Sequence, residues 1–142
     1  IRIPPFADGE FSVRTRILIS ADPFQWPLMI RAQHGAGSKE YEEAVAIAGH
    51  MIANLLPLWL DSGYNIVITA DHGINGFGIH GGTDSPQRDV PLYIFSDEVV
   101  PGRFESNYIS QLSIAPLLCR LLNIPSSPDM MTEIPIRMAE TI

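Results

Sequence analysis

The residues best equipped for chemistry are the adjacent pair Asp71 and His72 and, a short way along the chain, His80. One carboxylate and two imidazoles form a donor set that suits zinc or manganese. Their setting matters as much as their types. Asp71-His72-Gly73 follows directly on Tyr64-Asn65-Ile66-Val67-Ile68-Thr69-Ala70, a β-rich run that is apolar on both faces at its middle, as a buried parallel strand would be. In open α/β sheets, ligands bind beyond the carboxyl ends of strands. Gly73 lets the chain leave that end sharply, and the glycine-rich stretch through Gly76, Gly78, Gly81 and Gly82 lets it double back to return His80 to the same place. The alternative is a polar turn whose aspartate caps a local N–H and whose histidines face water, and a short Asp-His-Gly string is compatible with both.

The flanking sequence supplies elements to position that loop. Ser38 is a good N-cap, and Glu40, Glu42 and Glu43 put negative charge where a helix dipole favours it. Tyr41, Ala44, Val45, Ala48, Ile52, Leu55, Leu56 and Trp59 then recur at helical spacing and predict one apolar, core-facing stripe. Pro57 predicts a kink or a shortened last turn, and Asp61-Ser62-Gly63 closes the helix. Val90-Pro91-Leu92-Tyr93-Ile94-Phe95 reads as a second buried strand. A further helix begins between Ser110 and Ser113, has Pro116 early and Leu117, Leu118, Leu121 and Leu122 on its buried face, and ends at Asn123 and Pro125. Upstream, residues 1–15 read as an irregular lead-in, with short strands at Arg16–Ser20 and Pro27–Arg31. Strands alternating with helices predict an α/β fold with a mainly parallel sheet covered by helices on both faces, residues 1–142 forming a single domain.

Composition narrows the function classes. The chain has 142 residues, 46% hydrophobic and 18% charged, enough for one domain with a core and too few for two. Nine Lys and Arg against sixteen Asp and Glu give a net charge of −7, which argues against duplex nucleic acid as a partner. A single cysteine, Cys119, excludes an intrachain disulfide framework and a Cys-rich zinc finger, and reads as a small core residue. Apolar stretches are interrupted by Pro, Gly or charge before the ~20 residues of a membrane span, so a soluble chain is expected; the compartment stays open, with the cytoplasm favoured, and so does the oligomeric state. The first residue is Ile1 rather than Met, so the expected reading is a fragment of a longer protein.

Four segments in order resemble the carboxy-terminal, metal-binding part of the alkaline phosphatase superfamily, specifically its type I phosphodiesterase/nucleotide pyrophosphatase branch. They are Gly35-Ala36-Gly37-Ser38-Lys39-Glu40-Tyr41, then Ile66-Val67-Ile68-Thr69-Ala70-Asp71-His72-Gly73, then His80-Gly81-Gly82-Thr83 with Arg88-Asp89-Val90-Pro91-Leu92-Tyr93-Ile94, and finally Gln111-Leu112-Ser113-Ile114-Ala115-Pro116-Leu117-Leu118 closing in Leu121-Leu122-Asn123-Ile124-Pro125. The resemblance implies an alkaline-phosphatase-like fold, here an incomplete domain. It also implies two zinc sites, with manganese as the other candidate ion, and hydrolysis of phosphodiesters or nucleotide pyrophosphates by in-line displacement. The implied substrate is a small phosphate ester or nucleotide. Carried onto this chain, Asp71 and His72 match ligands of one metal and His80 a ligand of the other.

Two departures accompany the resemblance. The family's Asp-x-x-Gly-His ligands fall at Leu28 and Ala32, neither of which binds zinc; His34 and Asp22 are the nearest residues able to substitute, His34 against a solvent-facing role and Asp22 against a turn role. The family's nucleophile belongs to an amino-terminal half, so the catalytic nucleophile is expected upstream of this chain, and Thr83 is not a candidate. The remaining polar and aromatic residues have plainer readings. His50 lies off the helix stripe and is expected in water, Trp26 and Trp59 are expected as core or rim anchors, and Asp84 and Arg88 as solvated loop charges able to orient the His80 loop or a phosphate. The competing functions are another hydrolase of the superfamily (phosphomonoesterase, sulfatase or mutase) and a metal-free, non-catalytic binding domain.

Overall fold

Ser38 begins the longest element in the manner its side chain dictates. In the computed structural model, which describes residues 34–103, 108–130 and 134–139, Ser38 is extended (φ −73°, ψ 155°) and its Oγ accepts a hydrogen bond from the Tyr41 N–H at 3.1 Å. The same hydroxyl donates to the Gly35 carbonyl at 2.9 Å. Helix α1 (Lys39–Asp61) follows, with Glu40 and Glu42 in its first turn. It ends at Ser62, whose N–H reaches the Leu58 carbonyl at 3.1 Å, and Gly63 turns the chain away at φ +76°. Pro57 neither stops nor shortens the helix, which continues to Asp61 with one backbone donor fewer. Ser38→Ala removes both cap bonds and is expected to lower stability by about 1 kcal/mol; a urea midpoint unchanged from wild type would show that the cap contributes nothing.

The apolar stripe of α1 is less deeply buried than its periodicity predicts. Among the described residues of the stripe only Ala44 is buried; Tyr41, Ala48, Ile52, Leu55, Leu56 and Trp59 are half-buried, and Val45 is exposed. His50 faces water as expected. Over its 23 residues α1 contains an 18-residue window of mean hydropathy 1.4, so by length and composition it is the one helix among the described residues apolar enough to cross a membrane. The interruptions at Gly49, His50, Asn54 and Pro57 break the apolar run in the sequence without lowering the average of the helix below that threshold. Core helices of soluble proteins meet the same criterion.

The sheet corrects the sequence expectation. Instead of a mainly parallel, alkaline-phosphatase-like sheet with helices on both faces, the described residues contain two strands, β1 (Ile66–Ile68) and β2 (Tyr93–Phe95). They pair antiparallel, with Ile66 opposite Phe95, Val67 opposite Ile94 and Ile68 opposite Tyr93. The reason lies in the connection. A parallel neighbour needs a crossover, usually a helix, that carries the chain back along the sheet. Here the segment between the strands contains only the four-residue helix α2 (Ser85–Arg88) and stays at one end, so β2 runs back against β1. The apolar run of β1 correctly signals burial at Ile66, but burial on two faces carries no information about the direction of a neighbour.

A 3₁₀ turn (Gln111–Ser113) leads into helix α3 (Ile114–Leu121), with Pro116 in its first turn where its missing N–H costs nothing. Leu117 and Leu121 are fully covered and, with Ile136, form the centre of the core; Val67, Leu92 and Ile94 pack on it from the hairpin and Val99 and Met138 from the flanking segments. Val67 and Ile94 face each other in the register, so one side of the hairpin rests on this cluster. Cys119 is buried and free. Asn123 closes α3 in the left-handed region at φ +53°. The lead-in at residues 1–15, the strands expected at Arg16–Ser20 and Pro27–Arg31, and Asp22, Trp26, Leu28 and Ala32 lie outside the described residues.

Candidate metal centre

Beyond the last residue of β1 the chain becomes a loop, and that loop carries the candidate ligands. Asp71 folds back on itself, its Oδ1 accepting the His72 N–H at 3.0 Å. Two carbonyls of the loop, of Ala70 and Asp71, both accept from Gln111 Nε2 at 3.1 Å. The 3₁₀ turn ahead of α3 therefore fixes the end of β1 to the core helix. The His72 ring lies 2.9 Å through Nδ1 from the Gly73 carbonyl. A carbonyl only accepts, so that bond places the proton on Nδ1 and leaves Nε2 as a lone-pair donor, the arrangement a metal-binding histidine uses.

The chain then turns through Asn75, whose Oδ1 accepts from the N–H groups of Phe77 at 2.9 Å and Ile79 at 3.0 Å. Gly78 sits at φ +77° in this turn, and its N–H closes onto the Asn75 carbonyl at 3.1 Å. That geometry delivers His80 to His72. The two imidazole rings stack with centroids 4.4 Å apart and planes 22° from parallel. The loop before α1 abuts the same turn: the Ala36 N–H donates to the Asn75 carbonyl at 2.9 Å, and a Cβ on Gly35 (φ +71°) would collide with the Gly76 carbonyl.

The donor chemistry can be tested against this placement. His72 Nε2 and Asp71 Oδ2 lie 3.8 Å apart, near the roughly 3.3 Å that separates two ligands of a tetrahedral ion at ~2.0 Å bond lengths. Near-parallel stacked rings direct their in-plane lone pairs side by side rather than to one point. His80 thus suits a neighbouring ion better than the ion of Asp71 and His72. Among the described residues no three His, Cys, Asp or Glu side chains gather on one position. The residues present fit part of two adjacent shells and complete neither. His34 is exposed and joins no such group.

An open cleft of about 2000 Å³ borders the site and is lined by Asp71, His72, Arg88 and Gln111 among others. Arg88 is exposed, with Nη1 3.5 Å from the Thr83 carbonyl. Asp84 caps α2 through its backbone alone, its carbonyl accepting the N–H groups of Gln87 and Arg88 at 2.9 and 3.1 Å. Ser85 Oγ bonds to the Asp89 carboxylate. Three residues that build the site, Asn75, Gln87 and Gln111, are absent from the sequence-based candidates. Asn75 does carry a signal, because Asn75-Gly76 is a turn dipeptide; the two glutamines act through carbonyls that only the fold brings to them and have none.

Compared with protein-family models, with curated proteins and with solved structures, the chain finds no match in any of the three.

Proposed function

We propose that this chain belongs to a metal-dependent hydrolase of phosphodiesters or nucleotide pyrophosphates, akin in its motifs to the type I phosphodiesterase/nucleotide pyrophosphatase branch, with Asp71, His72 and His80 as zinc ligands. The observation that carries the reading is the His72–His80 stack beside the Asp71 carboxylate at the carboxyl end of β1. The Nδ1 contact to Gly73 orients His72, and Gln111 holds the backbone that carries Asp71. Arg88, on the wall of the cleft, offers a guanidinium to the non-bridging oxygens of a phosphate. Bound zinc would activate a nucleophile and stabilise the departing oxygen. No nucleophile is assigned among the described residues.

A second reading, a metal-free binding domain, is favoured by one observation: the described residues gather no three donors on one point. Melting temperature with and without added zinc decides between the readings. Zinc should raise it by several degrees in the wild-type chain and not in His72→Ala, because an ion bound only by the folded state stabilises that state. A melting temperature untouched by zinc would leave the binding domain.

A further inference from the structure

Gln87 is nearly the only polar side chain among the described residues to be buried, at 5% exposed, and its contacts fall on either side of the two histidines. Its backbone carbonyl accepts the Gly73 N–H at 2.9 Å, one residue after His72. Its side-chain Nε2 donates to the Ile79 carbonyl at 3.0 Å, one residue before His80. The surroundings leave room for it and little else. A Cβ on Gly82 would run into the Gln87 carboxamide, and a Cβ on Gly73 would run into the Pro86 carbonyl next door. Gln87 is itself fixed by its N–H bond to the carbonyl of Asp84, the N-cap of α2, at 2.9 Å.

We propose that Gln87 is a positioning residue that holds His72 and His80 at their stacked spacing, one hydrogen bond gripping each loop. The two rings belong to opposite arms of a glycine-rich loop, and glycine backbone has the most freedom to lose. The Asn75 turn also holds Ile79, the Asn75 N–H donating to the Ile79 carbonyl at 3.0 Å and the Asn75 Oδ1 accepting the Ile79 N–H at 3.0 Å. Gln87 adds the tie from Ile79 across to Gly73, beside both imidazoles. The Gln87 carboxamide is buried, and leaving its N–H donor unpaired there is unfavourable, which holds its bond to Ile79 in place. In the proposed hydrolase, on which the metal part of this inference rests, the spacing of the rings sets the spacing of the two ions.

The test uses two readouts, the first of which contains no metal. Proton NMR at fixed pH records the ring-current shift of the His72 C–H protons caused by His80, with His80→Ala as the reference that abolishes it. Gln87→Met keeps the bulk and removes the donor, and should reduce that shift to the reference value while the backbone signals of β1 and β2 stay in place. The second readout is uptake of Co²⁺ followed by its visible absorption, for which Gln87→Met should weaken affinity about 10- to 100-fold, as loss of a group supporting metal ligands does. A full ring-current shift in Gln87→Met overturns the proposal. If Gln87→Met fails to fold, Gly82→Ala carries the same test, since its methyl displaces only the carboxamide; an unchanged shift there overturns the proposal equally. A wild-type chain that takes up no cobalt defeats the hydrolase reading and leaves the ring-current result to decide the role of Gln87.

Discussion

Asp71→Ala should lower the metal content of the protein. Wild-type protein purified without chelator is expected to carry roughly two zinc ions per chain, the complement of a two-metal phosphoryl-transfer site, and the variant about one or fewer. The expectation follows from the shared position of Asp71 and His72: with the carboxylate gone, His72 Nε2 faces solvent with no second donor, while His80 on the opposite arm of the loop is untouched. Elemental analysis of both proteins side by side checks it. Stability should follow occupancy, because an ion bound only by the folded chain stabilises it by about 4 kcal/mol when present at 1,000 times its dissociation constant. Metal near zero in both proteins would end the hydrolase reading for this chain. Equal, non-zero metal in both would move the site away from Asp71.

Leu117→Ala is the substitution expected to damage the fold most. Leu117 is completely covered and lies at the centre of the cluster that joins α3 to the hairpin and to Ile136. Removing its isobutyl group leaves a cavity walled by Leu121, Val67 and Ile94 or their neighbours, at a cost of about 2–5 kcal/mol. Total stabilities of domains are about 5–15 kcal/mol, so the urea midpoint should fall by a large fraction. Leu58→Ala, at a residue 61% exposed on α1, is the control; it should stay within about 0.5 kcal/mol of wild type. Equal losses at both positions would show that the core is elsewhere. Because α3 also presents Gln111 to the Ala70 and Asp71 carbonyls, the core substitution should loosen the metal loop as well.

The parts of this structure legible in the sequence are those written in local chemistry. Ser38 announced the start of α1, Asp61-Ser62-Gly63 its end, and Pro116 and Asn123 the limits of α3, because caps and turns depend on a few adjacent residues. The glycines between His72 and His80 made their meeting foreseeable. Strand direction was not foreseeable, since Ile66-Val67-Ile68 has the same composition whichever way its neighbour runs; the decisive fact was the shortness of the helix between the strands. The depth of the α1 stripe is not legible either, for periodicity marks which face is apolar and not what lies against it. Gln87 and Gln111 escaped notice because a glutamine becomes structural only through carbonyls brought to it by the fold, in one case from 40 residues away.

The carbonyl of Asn75 is a shared acceptor. It receives the N–H of Ala36, at the head of α1, and the N–H of Gly78, in the turn that delivers His80. Gly35 leaves no room for a Cβ against the Gly76 carbonyl at the same place. The start of the longest helix and the approach to a candidate ligand thus share one acceptor. Substitutions at Gly35 or Ser38 and in the Asn75–Ile79 turn are expected to combine non-additively in a double-mutant cycle, as residues of one hydrogen-bond network do.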